Sequence, residues 1–217
     1  MRGDKLVIRE EHIRAAEFIR DSLLEEITRS ERLFIITIAG ESGSGKSEIA
    51  SAFGELLEKK DVKSVILQQD DYFSYPPKTN AEMRVSDITL VGMSEVRLEL
   101  LEQNLKEIQD GNKEIEKPLV DFDNDCIERE TLSLDGAGVI IVEGTYTTVL
   151  KNVHRRVFLD IDYFGTKKAR ERRAREEQDE FLEKILKIEH EIISTHKPMA
   201  DIIIDTNYAG RMQDRTE

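Results

Sequence analysis

The chain has 217 residues, of which 39% are hydrophobic and 35% charged, and it carries a formal net charge of −13. That length and apolar content suit one α/β domain with a packed core and room for a lid or an added helix, and they argue against wholesale disorder. The acidic balance argues against nucleic acid or an anionic membrane as the main partner, because both are bound chiefly through Lys and Arg.

In chain order, the stretch Met1–Ile8 is too poor in apolar residues for a secretory leader, and no later run approaches the ~18 apolar residues of a membrane span, so a cytoplasmic protein is expected. Residues 9–30 place Ile13, Ala16, Ile19, Leu23 and Ile27 at spacings of three and four, which predicts an amphipathic helix. Residues 1–30 read as an N-terminal helical extension, a structural or oligomer-forming appendage on the outside of a single domain at 31–217. Leu33–Ala39 (LFIITIA) is a short β-branched run suited to a central parallel strand. A glycine-rich turn follows, then a helix from about Lys46 to Lys60, then a second strand at Ser64–Gln68.

Ser94–Asp110 predicts a helix with Val96, Leu100, Leu101, Leu105 and Ile108 along one side and Gly111 as its stop. Residues 113–134 alternate and contain Pro118, which reads as a hairpin or a pair of edge strands. Val139–Val142 and Arg156–Ile161 are further buried strands, and 165–195 form one or two charged helices. Asp201–Asp205 is a last strand, and the polar tail after Asn207 reads as frayed. Strands alternating with helices predict an α/β fold whose parallel sheet is covered by helices on both faces.

Gly40-Glu41-Ser42-Gly43-Ser44-Gly45-Lys46-Ser47 fits G-x-x-x-x-G-K-[ST] in full, between a buried strand and a helix. The glycines let successive backbone N–H groups turn inward on phosphate oxygens, and the following helix offers the same anion its positive end. Lys46 adds a charge for β- and γ-phosphates, and the Ser47 hydroxyl can ligate Mg²⁺. Gly40 to Ser47, with Glu48 after them, are the candidate nucleotide-binding residues.

Gln69-Asp70-Asp71-Tyr72-Phe73 follows the second strand, at the edge of an open α/β sheet where ligands bind. A carboxylate there could take the proton from an attacking hydroxyl or help hold a metal. Val139-Ile140-Ile141-Val142-Glu143-Gly144 is a buried strand ending in an acid, placed as a Walker B carboxylate would be.

Taken together, GESGSGKS, QQDDYF, GNKEIEKPLVDFDNDCIERETLSL, VIIVEGTY and RRVFLDIDYFGTKKARERRARE resemble the uridine kinase and phosphoribulokinase-like family of P-loop kinases, from about Leu33 to Asn207. The resemblance implies a P-loop NTPase fold with a parallel sheet of about five strands, a small hairpin at 113–134 over the acceptor site, and a mobile lid within 165–195. It implies ATP and Mg²⁺, with Asp70 as catalytic base, Tyr72 as a substrate contact, Asp121 and Phe122 in the acceptor pocket, and Glu143 serving the metal. Arg172 and Arg175 match the lid arginines, in an R-x-x-R-acid pattern completed by Glu176, and adenine is implied near Asp205–Tyr208. Three places depart from the pattern. Leu90–Ser94 lacks the acid that grips ribose hydroxyls, Asp125 stands where uridine kinases have a histidine, and 177–180 lacks further arginines.

Lys167, Lys168, Arg170, Arg172, Arg173 and Arg175 crowd one segment of an acidic chain. A closing lid could bring Lys168, Arg172 and Arg175 onto a transferring phosphoryl group; the plainer reading is a solvated helix laced by i,i+4 pairs. Asp121, Asp123 and Asp125 do not make a calcium loop, because Cys126 and Leu132 stand where glycine and glutamate are required. The four histidines show no metal-ligand spacing, and the lone Cys126 excludes internal disulfides.

The expectation is an ATP- and Mg²⁺-dependent kinase for a hydroxyl of a small molecule such as a nucleoside or sugar, with a homo-oligomer left open. A nucleotide switch acting on a protein partner and a kinase for a phosphorylated metabolite are the alternatives.

Overall fold

The computed structural model describes residue 2, residues 6–173 and residues 179–213, without the side chains of 172 and 173. Strand β1 (Phe34–Gly40) is buried along its whole length. Alternate side chains of a strand point to opposite faces, so β1 serves two cores. Phe34, Ile36 and Ile38 pack with helices α1 (Glu10–Arg29) and α2 (Lys46–Glu58). Ile35 and Ala39 belong to the opposite core, with Leu101, Leu105 and Ile108 of α4 (Leu98–Gln109).

Helix α1 buries His12, Ala15, Ala16, Ile19, Leu23 and Ile27, while Ile13, expected on that face, is 40% exposed. The buried stripe is rotated toward Ala15 and Ala16, whose small side chains let α1 lie close against its neighbours. The extension is therefore part of the main core.

The sheet runs in the order β2 (Ser64–Gln68), β5 (Val139–Gly144), β1, β6 (Arg155–Leu159), β7 (Ile202–Ile204) and β8 (Gly210–Met212). The pairs from β2 through β7 are parallel, and β8 is antiparallel to β7. The tail expected to fray is thus an edge strand as far as Met212. Its turn is closed by Asp205, whose Oδ1 accepts from the N–H groups of Asn207 (2.8 Å) and Ala209 (2.9 Å), a side-chain turn that reverses the chain.

Helix α4 starts later than its periodicity predicts. The side chain of Glu95 accepts the N–H of Gly92 at 2.9 Å, and the N–H groups of Ser74 and Arg97 bond to Glu95 and Tyr72 carbonyls at 2.8 Å each. Those bonds draw 92–97 into a short turn and a bridge, so Val96 pairs with Phe73 instead of joining the helix. The remaining elements are α3 (Pro77–Ser86), a separate hairpin of β3 (Glu114–Asp121) and β4 (Cys126–Ser133), α5 (Tyr163–Arg173) and α6 (Glu180–Ile193). Among the described residues no helix is long and apolar enough to cross a membrane.

Register sets the site. Glu143 of β5 lies level with Gln68 on β2 and with Ile38 on β1. The carboxyl ends of these parallel strands therefore deliver the Gly40–Ser47 loop, Asp70 and Glu143 to one edge, where open α/β sheets bind ligands.

Candidate active site

The loop from Gly40 to Ser47 closes on itself: Lys46 Nζ donates to the Glu41 carbonyl at 2.9 Å. Gly45, in the left-handed region at φ +93°, precedes α2, and no side chain caps that helix. The positive end of α2 follows the loop directly, as an anion held by the loop would need.

The Ser47 hydroxyl donates to Glu143 Oε1 at 2.9 Å, and Gln68 Nε2 reaches the same oxygen at 3.2 Å. Glu143 is 3% exposed. Burial first, and the nearby negative charge of Asp70 second, push its carboxyl well above the usual carboxylate range, against the pull of Lys46. A cation here would relieve both causes, and a hydroxyl beside a carboxylate is the oxygen donor set Mg²⁺ prefers. Among the described residues no three His, Cys, Asp or Glu side chains are grouped to hold an ion. Gly144 next to Glu143 is a close approach: a Cβ there would lie 2.2 Å from Cβ of Gln69.

The two adjacent aspartates have different tasks. Asp71 is buried, paired to Lys117 Nζ of β3 at 2.8 Å, and accepts the Val120 N–H at 3.0 Å. It fastens the hairpin to the turn that carries both acids. Asp70 is half-buried and lines a cavity of ≈ 280 Å³, whose wall also includes Ser42 of the loop.

The rest of that wall is partly apolar, with Phe73, Tyr75, Phe122, Leu182, Ile185 and Leu186. Its polar end is a buried network. Arg84 of α3 holds Glu95 through two bonds (2.6 and 2.9 Å) and reaches Glu189 of α6 at 3.1 Å, while Asn80 Nδ2 donates to Glu95 at 3.0 Å. Arg170 of α5 also lines the cavity; its Nη1 donates to the carbonyl of Tyr163 at 2.7 Å and to the Thr166 hydroxyl.

Not every expected residue arrives here. Phe122 does. Tyr72 is 0% exposed, sits in the α4-side core, and donates its hydroxyl to Asn104 at 2.8 Å; its ring supports the turn from behind, and burial raises its phenol pKa. Asp121 is outside the cavity wall and is held in its own hairpin turn by the backbone N–H (3.0 Å) and side chain (3.1 Å) of Asn124. Arg175 lies outside the described residues, as does the side chain of Arg172.

Within the loop, Glu41 is buried and its Oε1 lies 2.6 Å from His190 Nδ1 on α6, with burial raising its pKa and the histidine opposing. Ser44 is buried, and its carbonyl accepts from the Tyr208 hydroxyl at 3.3 Å. Glu48 lies on the first turn of α2, near enough for its charge to act on His12. No motif or spacing in the sequence marks Arg84, Glu95, Glu189, His190 or His12 for the roles they have here. Lys117 had a signal, since it follows Ile115 at an inward strand position and a lysine there needs a buried acid.

The sequence profile described as "Phosphoribulokinase / Uridine kinase family" matches residues 35–168. The uridine kinase of Clostridium novyi is 33% identical over 133 residues, which cover 61% of this chain and 61% of that one. The uridine kinase of Macrococcus caseolyticus is 30% identical over 184 residues, covering 78% of this chain and 86% of the relative. A solved structure described as a possible uridine kinase from Bacillus stearothermophilus superposes with a TM-score of 0.65 at 17% identity, covering 87% of this chain and 96% of that one. That structural likeness supports the fold alone: a mostly parallel sheet with flanking helices and the phosphate loop at its edge.

Proposed function

The chain belongs to the phosphoribulokinase and uridine kinase family, and on that premise we propose that it transfers the γ-phosphoryl group of Mg-ATP to a hydroxyl of a small molecule that carries no phosphate of its own. The observation that carries this reading is the shared edge: the phosphate loop, the Ser47–Glu143 pair and Asp70 converge, and Asp70 and Ser42 line one cavity.

In the proposed reaction Asp70 takes the proton of the acceptor hydroxyl, whose oxygen attacks the γ-phosphorus. The bond from that phosphorus to the β,γ-bridging oxygen breaks, and ADP leaves with the electron pair. Lys46 offsets charge on the phosphates. Arg170 belongs to the same task from the cavity side, and Arg172 and Arg175 are assigned to it by the family pattern. When bound at Ser47 and Glu143, Mg²⁺ supplies charge neutralisation on the phosphate oxygens. The apolar wall of Leu182, Ile185 and Leu186 helps exclude water, which would otherwise compete as acceptor.

The polar end of the cavity favours an unphosphorylated acceptor. Arg84 faces two carboxylates, Glu95 and Glu189, and so brings no surplus positive charge for a second phosphate. Uridine is not singled out. The nearest acid after the Leu90–Ser94 stretch is Glu95, which is committed to Arg84, Asn80 and Gly92. Asp125, at the family's histidine position, caps α3 through Lys78 N (2.7 Å) and Thr79 Oγ1 (2.9 Å).

The test is Asp70→Asn, assayed by ADP release with Mg-ATP against nucleosides, sugars and their phosphorylated counterparts. Turnover should fall by roughly 10²–10⁴-fold with nucleotide affinity retained. Turnover comparable to the unmodified protein would remove Asp70 as base, and a preference for phosphorylated acceptors would overturn the acceptor class.

A further inference from the structure

The phosphate loop carries an acid where its pattern asks for none, since position 41 is open in G-x-x-x-x-G-K-[ST]. Glu41 is 6% exposed and stands between Gly40 and Ser42, in a loop whose Lys46 and following helix favour an anion. A charged carboxylate at that place opposes any phosphate the loop encloses.

Its partner comes from 149 residues away. His190 belongs to α6, the helix whose Leu182, Ile185, Leu186 and Glu189 wall the cavity beside Asp70, and its Nδ1 lies 2.6 Å from Glu41 Oε1. A nitrogen and an oxygen this close hold a hydrogen between them, at the length of a charge-assisted bond. Glu41 Oε2 is buried with no hydrogen-bond partner among the described residues. Burial raises the Glu41 pKa most; His190 and the Tyr163 N–H oppose it, and the charge of Asp162 adds to it. Around the pair, the Tyr163 ring lies 5.6 Å from that of His190 and Lys46 bonds the Glu41 carbonyl at 2.9 Å. Arg170 bonds the Tyr163 carbonyl at 2.7 Å, and Glu189, next to His190, bonds Arg84 at 3.1 Å.

With the carboxylate ionised and the imidazole neutral, the pair carries one negative charge; one more proton, on either partner, makes it neutral overall. We propose that a triphosphate in the loop drives the pair to that neutral state, so that nucleotide binding takes up a proton and His190 is a donor-side residue supplied by an acceptor-side helix. This rests on the reading of the loop as a triphosphate cradle. The His190 side chain is 39% exposed against 8% for Glu41, so the proton reaches the pair from solvent through the imidazole. Linkage gives the sign. An anion favours the state with more protons bound, so affinity is full below the titration of the free pair. It falls as pH rises from there toward the higher titration of the occupied one. The pair sets the charge of the loop and leaves its shape to the backbone.

The experiment is calorimetry of Mg-ATP binding to the full chain, His190→Gln, Glu41→Gln and the double variant, from about pH 6 to pH 8, where histidines titrate. Each variant is checked by thermal melting. In two buffers of different ionisation heat, the unmodified chain should show a net proton uptake that Glu41→Gln lacks. Its affinity should also fall over that range by roughly tenfold more, the equivalent of one pK unit. Titration of the ligand itself is common to all variants and cancels. His190→Gln keeps a hydrogen-bond donor for Glu41 but not the added proton, so it should bind roughly tenfold more weakly at about pH 7, and the double variant should recover to within about twofold. A merely structural contact predicts the reverse, with His190→Gln harmless and the double variant no better. Parallel pH profiles for the unmodified chain and Glu41→Gln, or a loss in His190→Gln that Glu41→Gln does not repair, would overturn the proposal. If the unmodified chain bound no Mg-ATP at any pH, the triphosphate reading would fall and the proposal with it.

Discussion

The donor side and the acceptor side of this site are held by different physics. On the donor side, consecutive residues from Gly40 to Ser47 make a loop whose shape comes from backbone conformation and from the start of α2. On the acceptor side the fixed points are charge pairs between distant segments: Lys117 with Asp71, 46 residues apart, and Arg84 with Glu95 and Glu189, 11 and 105 residues away. A backbone cradle tolerates changes in surrounding side chains. A buried pair does not, because removing one partner leaves the other as an uncompensated charge. The acceptor side is therefore where single substitutions should do the most structural damage, while the loop keeps its affinity for phosphates.

Lys117→Met puts that contrast under the greatest strain. Both partners are nearly inaccessible, with side chains 5% and 3% exposed, so the substitution should destabilise the protein by roughly 3–5 kcal/mol. Adding Asp71→Leu should return part of the loss, since it removes the uncompensated charge but leaves the Val120 N–H without its acceptor. Urea unfolding of the single and double variants measures both. A single variant within about 1 kcal/mol of the unmodified protein would show that the pair is as weak as an exposed one and erase the contrast.

Arg84→Ala sharpens the comparison at the cavity itself. It leaves Glu95 and Glu189 without their shared cation and frees α3 from α6. The loss of charge-assisted bonds of this kind predicts an acceptor KM higher by roughly tenfold or more, with Mg-ATP affinity unchanged in a binding titration. A matching loss of Mg-ATP affinity would mean that the two sides are mechanically one.

The same contrast decides which parts of the site are legible in the sequence. The phosphate loop, the strand that feeds it and Glu143 are contiguous signals, and the parallel register brings Glu143 to the loop with no further information needed. The Arg84 network carries no periodicity or motif, because its members come from α3, the 92–95 turn and α6. Helix α4 begins late for a similar reason: Glu95 reads as a helix residue by spacing but is claimed by Gly92, Asn80 and Arg84. Spacing of three and four puts Ile13 on the buried stripe, yet the small pair Ala15–Ala16 decides which side of α1 can approach the core. The charged segment after β6 is legible as basic; among the described side chains Arg170 lines the cavity, while Arg175 and the side chain of Arg172, which the family pattern points to, lie outside the described residues.

Tyr72→Phe carries the smallest expected effect and the finest discrimination. The family pattern makes this ring a substrate contact, whereas here its hydroxyl bonds Asn104 inside the core. If it acts on the acceptor, loss of the hydroxyl should raise acceptor KM and leave stability nearly unchanged. If it is a core residue, stability should fall by about 1 kcal/mol, the usual worth of one such bond, with both substrate constants unchanged. Asn104 also donates to the Glu116 carbonyl of β3 at 3.1 Å, so the lost bond weakens a strut running from the Asp70 turn through α4 to the hairpin. Denaturant midpoint and acceptor KM, measured on the same preparation, separate the two outcomes. A shift in KM alone would move Tyr72 back to the site and draw the core-side wall of the acceptor cavity closer to Asp70.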